Sequence, residues 1–559
     1  MTIEELKEEV MSTFSQILRE SPYDGNLNRT QIEERLNHKK LLRKALKSCA
    51  YGDKRAKLYV QDYIKDCMIR KGLVNRTNID EIIPFETISE LSAQDKFNIL
   101  LYQYEEEYGM DGLTQLIMDY ALDLPKKDEN GMPYYEIDED DIDVVFEENR
   151  NKSLNFNDKL NILTQRVYEI YKGNGVIDQI RDMNIDGISI GVSGVPEHIA
   201  GDMEWKGKDV PAAYDSVWIF FKGKSIYLSF LKFGSSREMI RVCRNSYRYN
   251  NPGQLSQVRG YLVTESWDGA RIAVARPPFS ENWVLFIRKF DTVQKEEMEN
   301  LITDEGKELP IELIKWLIKG CQVTGITGEQ GAGKTTLLMS VIGFINPAYN
   351  LRIQELAFEL QLRKLYPKRN IVTFKETSSV SGEEGLNFTK KTDGSVTILG
   401  EVASNEVASW LISTSQVASL FTLFTHHAKT TKDLIISMRN ALLQKGGFQN
   451  ERVALEQVLD AIHFDIHMKK DISGHRYIER ISEIVPDKGA VFRKVYGGEE
   501  KGAFEIRDLV VFEKGRYCWK DKLSHQGRER IAEFLTEKEK KEFEKFLNEG
   551  ETCENGYLL

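Results

Sequence analysis

Apolar and charged residues recur at helical spacing through the first 125 residues of the chain. In residues 41–72 an apolar residue returns every three or four positions, and Gly72 ends the pattern. A second segment of this kind, residues 93–122, carries tyrosines among leucines and acids, which is more typical of a helix-bundle core than of a ligand site. The pattern predicts an N-terminal helical region over residues 1–125.

The pattern changes twice between residues 126 and 300. Residues 126–155 are acidic and polar and contain a Gly-Met-Pro turn, so they predict a linker. Solvated surface is the simplest interpretation of this acidic run, and docking onto a basic partner is the alternative. Residues 156–300 predict an α+β domain, since a helical stretch precedes several β-prone runs. These runs are 188–192, 217–221, 225–230, 260–264, 270–274 and 283–287.

Strands and helices then alternate from residue 301 to residue 485, as in a doubly wound parallel sheet. The predicted fold class is therefore α/β. The remainder, residues 486–559, begins with β-prone runs and ends in a charged helix predicted over 529–547. The predicted strands of the alternating part are 323–327, 351–353, 371–374, 396–399 and 420–424.

A glycine-rich loop follows the first of these strands and fits the pattern G-x-x-x-x-G-K-[ST]. In such a loop the glycines let backbone N–H groups point at an anion, the lysine reaches phosphate oxygens, and the hydroxyl coordinates Mg²⁺. A Gly-rich turn with a solvated lysine is the alternative, but the order of strand, loop and apolar helix favours nucleotide binding. The predicted nucleotide-binding residues are Gly328, Glu329, Gln330, Gly331, Ala332, Gly333, Lys334, Thr335 and Thr336.

Polar residues near the ends of later strands are candidates for the rest of the site. Glu401 follows an apolar strand, where a carboxylate could hold the water of a metal ion or orient an attacking water; an ordinary loop glutamate is the alternative. Glu355 and Glu359 have the i, i+4 spacing of a helix, on which they would be surface charge unless the preceding strand brings them to the site. His426 and His427 follow another apolar strand, and we weigh γ-phosphate sensing against a hydrogen-bonded structural role.

Length and charge narrow the choice of partners. The 559 residues suffice for about three or four domains. A net charge of −11 makes nucleic acid unlikely as the main partner. The chain has no apolar run near the roughly 20 residues of a membrane span, and its first residues do not read as a cleavable signal. We expect a multidomain cytoplasmic protein.

Motifs in a fixed order between residues 160 and 515 resemble the type II and type IV secretion and pilus-assembly ATPases. The similarity is strongest to the tight-adherence (Flp) pilus motor branch of that family. The motifs that carry it are GNGVIDQIRDMNIDGISIGVSG (173–194), WDGARIAVARPP (267–278), IRKF (287–290), the phosphate loop, RIQELAFELQL (352–362), ILGEV (398–402), FTHHAKT (424–430) and RYIERISEIVP (476–486).

The resemblance implies an architecture. Residues 301–485 would form a RecA-like P-loop ATPase domain, preceded by a smaller PAS-like α+β domain over residues 156–300. Residues 486–559 would pack on the ATPase domain as a C-terminal β and helical segment. The family works as hexameric rings that act on an inner-membrane platform protein. For this chain the resemblance therefore implies a homo-oligomer at the cytoplasmic face of the membrane that powers pilus assembly or protein secretion.

The resemblance also implies roles for individual residues, with ATP and Mg²⁺ as cofactors. Thr335 would bind the metal, and Glu401 would hold it through water and position the attacking water. Glu355 would support Glu401. His427 would sense the γ-phosphate. Two arginines, Arg271 and Arg288, would approach the nucleotide from the α+β domain of the same or an adjacent subunit, where planar cations suit the charge of the transition state.

Three residues depart from the family pattern. Leu356 stands where relatives carry an aspartate, Glu265 where many carry an arginine, and Ala403 where an arginine is usual. Loss of charges from a preorganised site can slow a reaction by orders of magnitude. A nucleotide-binding assembly scaffold with little hydrolysis is therefore the alternative function. A nucleic-acid-translocating motor is disfavoured by the acidic charge.

Overall fold

The computed structural model forms two compact units, Met1–Thr292 and Val293–Leu559. It describes residues 1–548 apart from 22, 24–27, 150–151, 201–209, 250–252, 291–296, 378, 418, 446–448, 472–473 and 487–503. Within the described residues, no helix combines the length and apolar character that a membrane crossing requires.

Helices dominate the start of the first unit. Several of them begin at a capping box, in which the cap side chain and the side chain three residues later satisfy each other's backbone N–H groups. The helices are α1 (Ile3–Arg19), α2 (Arg29–Ser48), α3 (Lys54–Arg70), α4 (Ile79–Ile82), α5 (Ala93–Tyr108), α6 (Gly112–Asp119), α7 (Glu139–Glu148), α8 (Phe156–Tyr171), α9 (Asp178–Asp182), α10 (Glu197–Ala200) and α11 (Ser236–Ser246).

The two long helical segments predicted from the sequence are each interrupted. Gly52, with φ of 91°, separates α2 from α3, and Gly109, with φ of 60°, ends α5 before α6 begins. Both glycines adopt backbone angles that a residue with a Cβ atom rarely reaches, and a helix cannot continue through such angles. The single helix predicted over residues 93–122 is therefore wrong.

The first unit also contains a seven-stranded sheet in the order β3-β6-β5-β4-β9-β8-β7. Neighbouring strands are antiparallel except β3 and β6, which are parallel. The strands are β1 (Lys126–Lys127), β2 (Pro133–Tyr134), β3 (Glu136–Ile137), β4 (Gly187–Ile190), β5 (Val217–Phe221), β6 (Lys224–Leu228), β7 (Tyr261–Glu265), β8 (Arg271–Ala275) and β9 (Val284–Arg288), with β1 and β2 forming a separate ribbon.

The hydrophobic cores of this unit do not follow the predicted boundaries at residues 125 and 155. Helices α1, α2, α3 and α8 share one core, whereas α5, α6 and α7 pack with the sheet in another. Residues 126–155, predicted as a linker, contribute strand β3 to the sheet and bury Ile142 and Val145 of α7. These few apolar residues on one helical face outweigh the acidic composition that suggested a linker.

The second unit is built around a nine-stranded sheet in the order β12-β11-β13-β14-β10-β15-β16-β17-β18. The strands are β10 (Thr324–Gly328), β11 (Leu351–Glu355), β12 (Ile371–Lys375), β13 (Val396–Leu399), β14 (Phe421–His426), β15 (Phe464–Lys470), β16 (Arg476–Pro486), β17 (Phe504–Glu513) and β18 (Arg516–Trp519). The helices are α12 (Met298–Leu301), α13 (Glu308–Lys319), α14 (Lys334–Val341), α15 (Leu362–Leu365), α16 (Gly382–Thr389), α17 (Asn405–Val417), α18 (Thr431–Gln444), α19 (Glu451–Ala461), α20 (His525–Glu533) and α21 (Glu537–Asn548).

Strands β10 to β15 are parallel, which confirms the predicted α/β class with a parallel sheet. Their central residues are buried, as expected for strands covered by helices on both faces. Strands β16 to β18 extend the sheet in antiparallel order, and residues of β17, β18, α20 and α21 share its core. The phosphate loop follows β10, and β14 lies between that strand and β13, which leads to Glu401.

The charged helix predicted over residues 529–547 is two helices. Thr536 begins the second one: its hydroxyl accepts the N–H of Glu539, and the Glu539 carboxylate accepts the N–H of Thr536. This reciprocal cap starts a new helix and ends the old one. The apolar residue Phe543 of α21 is fully buried, so the charged segment packs on the sheet through one face.

Candidate functional site

The glycine-rich loop has the backbone of an anion cradle. Gly328, Gly331 and Gly333 have φ of 139°, 79° and 94°. A Cβ atom at Gly328 would lie 2.2 Å from the carbonyl oxygen of Met468 on the neighbouring strand, so only glycine fits where the loop leaves β10. Helix α14 begins directly after the loop at Lys334, and its N-terminus adds partial positive charge.

The Lys334 ammonium group lies at the centre of the loop. Its Nζ donates hydrogen bonds to the carbonyl oxygens of Gly328 at 2.9 Å and Glu329 at 2.8 Å, and lies 3.2 Å from Nδ1 of His427. Burial lowers the pKa of Lys334, and the negative charge of Glu401 opposes that change. The Lys334 charge is therefore held by backbone oxygens beside a nearby carboxylate.

His427 joins the lysine to Glu401. Its Nε2 lies 3.2 Å from Oε1 of Glu401, and the His427 and Glu401 side chains are 46% and 37% exposed. Because the Lys334 ammonium can only donate, Nδ1 accepts, and the imidazole is neutral with its proton on Nε2, directed at the carboxylate. The structure thus places three predicted site residues, from three separate segments, in one hydrogen-bonded chain.

Glu355 reaches the same sheet edge by a route that the i, i+4 spacing did not suggest. It is the last residue of β11 rather than part of a helix, and it is 5% exposed. Its Oε1 accepts the backbone N–H groups of Glu359 at 3.0 Å and Leu360 at 2.8 Å. A Cβ atom at Gly400 would meet the Glu355 side chain at 3.0 Å, so Gly400 allows Glu355 to lie close beside the turn that leads to Glu401. The prediction that Glu355 and Glu359 share a helix is wrong.

His426 has the structural role that we weighed against sensing. Its Nδ1 lies 2.8 Å from the Val402 carbonyl oxygen and its Nε2 lies 3.2 Å from the Ser437 hydroxyl. Burial lowers the pKa of His426, which keeps the imidazole neutral. It therefore connects the segment after Glu401 to helix α18, while its neighbour His427 points toward Lys334.

The other predicted site residues differ in position. In the loop, Glu329 and Gln330 are exposed, Ala332 is buried, and Thr335 and Thr336 are partly exposed in the first turn of α14. Arg271 and Arg288 belong to the first unit, where the register of β8 and β9 makes them direct cross-strand neighbours. Glu265 is the neighbour of Arg271 on its other side, so an opposite charge offsets the repulsion between the two arginines.

Four residues near the loop were not singled out from the sequence. Arg476, at the start of β16, donates from Nε to the Gly331 carbonyl oxygen at 2.9 Å. Asp465 on β15 accepts hydrogen bonds from Thr327 and Thr431. An aspartate within an otherwise apolar strand stretch was the available signal for Asp465, because an unpaired acid is rare in a buried strand. The sequence carried no comparable signal for Arg476.

These residues fit a nucleotide phosphate group with a divalent cation. The glycine cradle admits no Cβ atom at Gly328, and α14 begins where the loop ends. The Thr335 hydroxyl and the Glu401 carboxylate offer the oxygen donors that Mg²⁺ prefers. Within the described part of the chain, no group of three or more His, Cys, Asp or Glu side chains could enclose a metal by itself, which agrees with a cation bound mainly by phosphate and water.

The fold and the loop define a protein with a phosphate-binding strand, loop and helix unit in a parallel sheet. No family model matches the chain, and no curated protein matches it. Three solved structures show a partial likeness. The VirB11 ATPase of the Brucella suis type IV secretion system, in complex with sulphate, is 16% identical, covers 53% of this chain and 88% of its own, and has a TM-score of 0.29.

The two others are similar in extent. The ATPase DotB of Legionella pneumophila is 14% identical over 54% of this chain and 78% of its own, with a TM-score of 0.36. The pilus retraction motor PilT with bound ADP is 14% identical over 55% of this chain and 80% of its own, with a TM-score of 0.39. At TM-scores below 0.5 the likeness carries no conclusion about function, so the site is interpreted from its own residues.

Proposed function

We propose that the chain is an Mg²⁺-dependent P-loop ATPase that powers pilus assembly or protein secretion. The observation that supports hydrolysis best is the chain of contacts from Lys334 through His427 to Glu401. These residues follow β10, β14 and β13, and parallel strands present their carboxyl ends at one edge of a sheet, where such folds bind ligands. A phosphate-binding loop that served only as a turn would not require a carboxylate and an imidazole beside its lysine.

Each residue has a task in the proposed reaction. The loop N–H groups and Lys334 bind the phosphates, and Thr335 provides a hydroxyl ligand for the metal. Bound Mg²⁺ supplies positive charge that neutralises phosphate oxygens. Glu401 holds and orients the attacking water, while His427 restrains the Glu401 carboxylate through its Nε2 proton. Glu355, fixed by two backbone N–H groups, supports the turn that carries Glu401.

The remaining parts of the proposal come from the family resemblance. We propose a RecA-like fold for the second unit, and a cytoplasmic homohexamer that works on a platform protein at the inner face of the membrane. Arg271 and Arg288 would supply charge to the nucleotide from the first unit. Measuring the mass of the purified assembly with and without Mg-ATP tests the hexamer, and a mass that stays at one chain under both conditions would contradict it.

An assembly scaffold that binds ATP with little hydrolysis is the second candidate. Leu356, at the position where relatives carry an aspartate, is 46% exposed and lies directly after Glu355. Ala403 and Glu265 likewise leave the site without cations that relatives use. Because transition-state charge depends on such groups, turnover slower than in a fully charged site is expected under either candidate.

Steady-state phosphate release with Mg-ATP tests the proposal, together with nucleotide binding measured on the same samples. We expect the parent to turn over, Glu401→Gln to bind ATP while losing about 100-fold or more in turnover, and Lys334→Ala to lose binding. Matched controls are Glu456→Gln on α19 and Lys432→Ala on α18, both on exposed side chains, and both should behave as the parent. A parent that binds ATP without releasing phosphate supports the scaffold instead.

A further inference from the structure

A buried carboxylate lies between the phosphate loop and the segment that carries His427. Asp465, on β15, has no exposed surface. Its Oδ1 accepts the hydroxyl hydrogen of Thr327 at 2.7 Å, and its Oδ2 accepts that of Thr431 at 2.6 Å. Both oxygens of one carboxylate are thus used to hold two side chains from different parts of the chain.

The positions of these two threonines give the contact its meaning. Thr327 directly precedes Gly328, the first glycine of the phosphate loop, on the strand that pairs with β15. Thr431 is the first residue of α18, four positions after His427. One rigid side chain therefore fixes the start of the loop and the end of the His427 segment relative to each other.

A side chain of this kind is not what stability alone would select. The centre of a parallel sheet normally carries apolar residues, and burying a carboxylate is unfavourable unless its oxygens are hydrogen-bonded. Burial raises the pKa of Asp465, while the two threonine hydrogen bonds and, more weakly, the charge of Arg480 oppose that change. Within the described residues Asp465 has no ion-pair partner, so the two hydroxyl groups are its direct support.

His467 strengthens the Thr327 side of the contact. Its Nδ1 lies 2.8 Å from the Thr327 hydroxyl oxygen, and Thr327 gives its own proton to Asp465, so Nδ1 donates. Burial lowers the pKa of His467 to about 4, which keeps the ring neutral. Its Nε2 faces Glu479 Oε2 at 3.8 Å. The Thr327 hydroxyl is thus fixed by a donor and an acceptor at once.

We propose that Asp465 is a positioning residue that couples the phosphate loop to the His427 segment. A displacement of the loop is then transmitted through Thr327, Asp465 and Thr431 to the start of α18, and with it to the imidazole beside Glu401. The kinetic consequence rests on the proposed ATPase function, whereas the mechanical coupling rests on the geometry of the side chains.

The mechanical part is tested by amide hydrogen exchange without nucleotide on Thr327→Val, which removes the hydroxyl on the loop side only. Coupling predicts faster exchange across the carboxylate, in residues 427–434. The matched control is Thr422→Val on β14, another fully buried threonine, whose hydroxyl has no hydrogen-bond partner in the described structure, and it should leave these residues unchanged. Faster exchange confined to residues 324–334 would overturn the coupling.

The kinetic part uses Thr431→Val and Thr431→Ser. We expect the valine variant to lower kcat about tenfold with KM within about twofold, and the serine variant, which keeps the hydroxyl, to recover most of the loss. Equal losses in both variants, or a change in KM alone, would contradict positioning. If the parent hydrolyses no ATP while Thr327→Val still speeds exchange in residues 427–434, the ATPase proposal fails and the coupling stands.

Discussion

The Nε2 atom of His427 lies 3.2 Å from Oε1 of Glu401, and the Nδ1 atom of the same ring lies 3.2 Å from the ammonium of Lys334. The two contacts assign opposite tasks to the two ring nitrogens, one donating and one accepting. A protonated imidazole would place a second N–H against the Lys334 cation. The geometry therefore selects neutral His427 and makes it the connection between the phosphate loop and the carboxylate.

Replacing His427 tests that connection. We expect His427→Ala to lower kcat by about 10- to 100-fold while nucleotide affinity changes only a few-fold, because the loop keeps its phosphate contacts and Glu401 loses its restraint. Lys429→Ala, on an exposed side chain of the same segment, is the control. A loss of affinity as large as the loss of kcat would show that His427 serves binding instead.

Gly400 is a second test, because it adjoins Glu355 rather than the phosphate loop. A methyl group there would lie 3.0 Å from Glu355 Cγ, so the buried carboxylate must shift by a few tenths of an ångström. We expect Gly400→Ala to reduce turnover several-fold and to lower stability by about 1 kcal/mol. In the control, Gly343→Ala, the nearest atom is the Tyr366 hydroxyl at 3.5 Å. Equal turnover in both variants would remove Glu355 from the mechanism.

Stability of the first unit depends on a buried ion cluster. Lys57 of α3 contacts Asp178 at 2.5 Å and Asp182 at 2.6 Å, both on α9. Burial alone would lower the pKa of Lys57, but the two carboxylates outweigh it and hold that pKa above its usual value. We expect Lys57→Met to destabilise the unit by about 3–5 kcal/mol, since it leaves two buried acids without their cation. Urea denaturation measures this.

The exposed residue Lys47 provides the comparison for Lys57. Lys47→Met on α2 changes the same side chain in the same way at an exposed position, and its stability should stay within about 0.5 kcal/mol of the parent. Combining Lys57→Met with Asp182→Asn should recover part of the loss because one uncompensated charge disappears. A double variant as unstable as Lys57→Met alone would mean that lost packing, rather than charge, is responsible.

Glu169 makes the first unit sensitive to pH. Burial raises the pKa of this carboxyl from 4.5 to about 7. Its stabilising contribution is therefore fully present below pH 4.5 and is lost as pH rises toward 7, because the unfolded chain ionises first. Glu169→Gln should gain on the parent progressively over that range, reaching about 3 kcal/mol above pH 7. Denaturation at pH 5 and pH 8 measures the difference, with Glu8→Gln on α1 as an exposed control.

The sequence predicted the parallel sheet well because its signals are local. Strands such as Val217–Phe221 and Val396–Leu399 match the predictions at both ends, and the phosphate loop lies where the pattern placed it. Apolar runs between turn residues specify such strands without reference to distant contacts. The same local signals brought Glu401 and His427 to strand ends that turn out to be adjacent.

The errors have a common physical cause, which is tertiary contact. Glu355 and Glu359 have helical spacing, but pairing with two neighbouring strands makes Glu355 the end of a strand. Acidic residues 139–148 form a packed helix because Ile142 and Val145 find a core formed elsewhere in the chain. The contact between Asp465 and Thr431 spans 34 positions, and no local pattern reports a hydrogen bond of that range.

The common edge at which β10, β11, β13 and β14 end makes the chain unequally tolerant of changes in length. One residue inserted within β13 or β14 advances everything after it by about 3.3 Å and turns it to the opposite face of the sheet, which removes Glu401 or His427 from Lys334. The same insertion in the connections that enter these strands at the other edge changes only a loop. Lineages of this protein should therefore differ in length at one edge of the sheet and keep a constant count at the other.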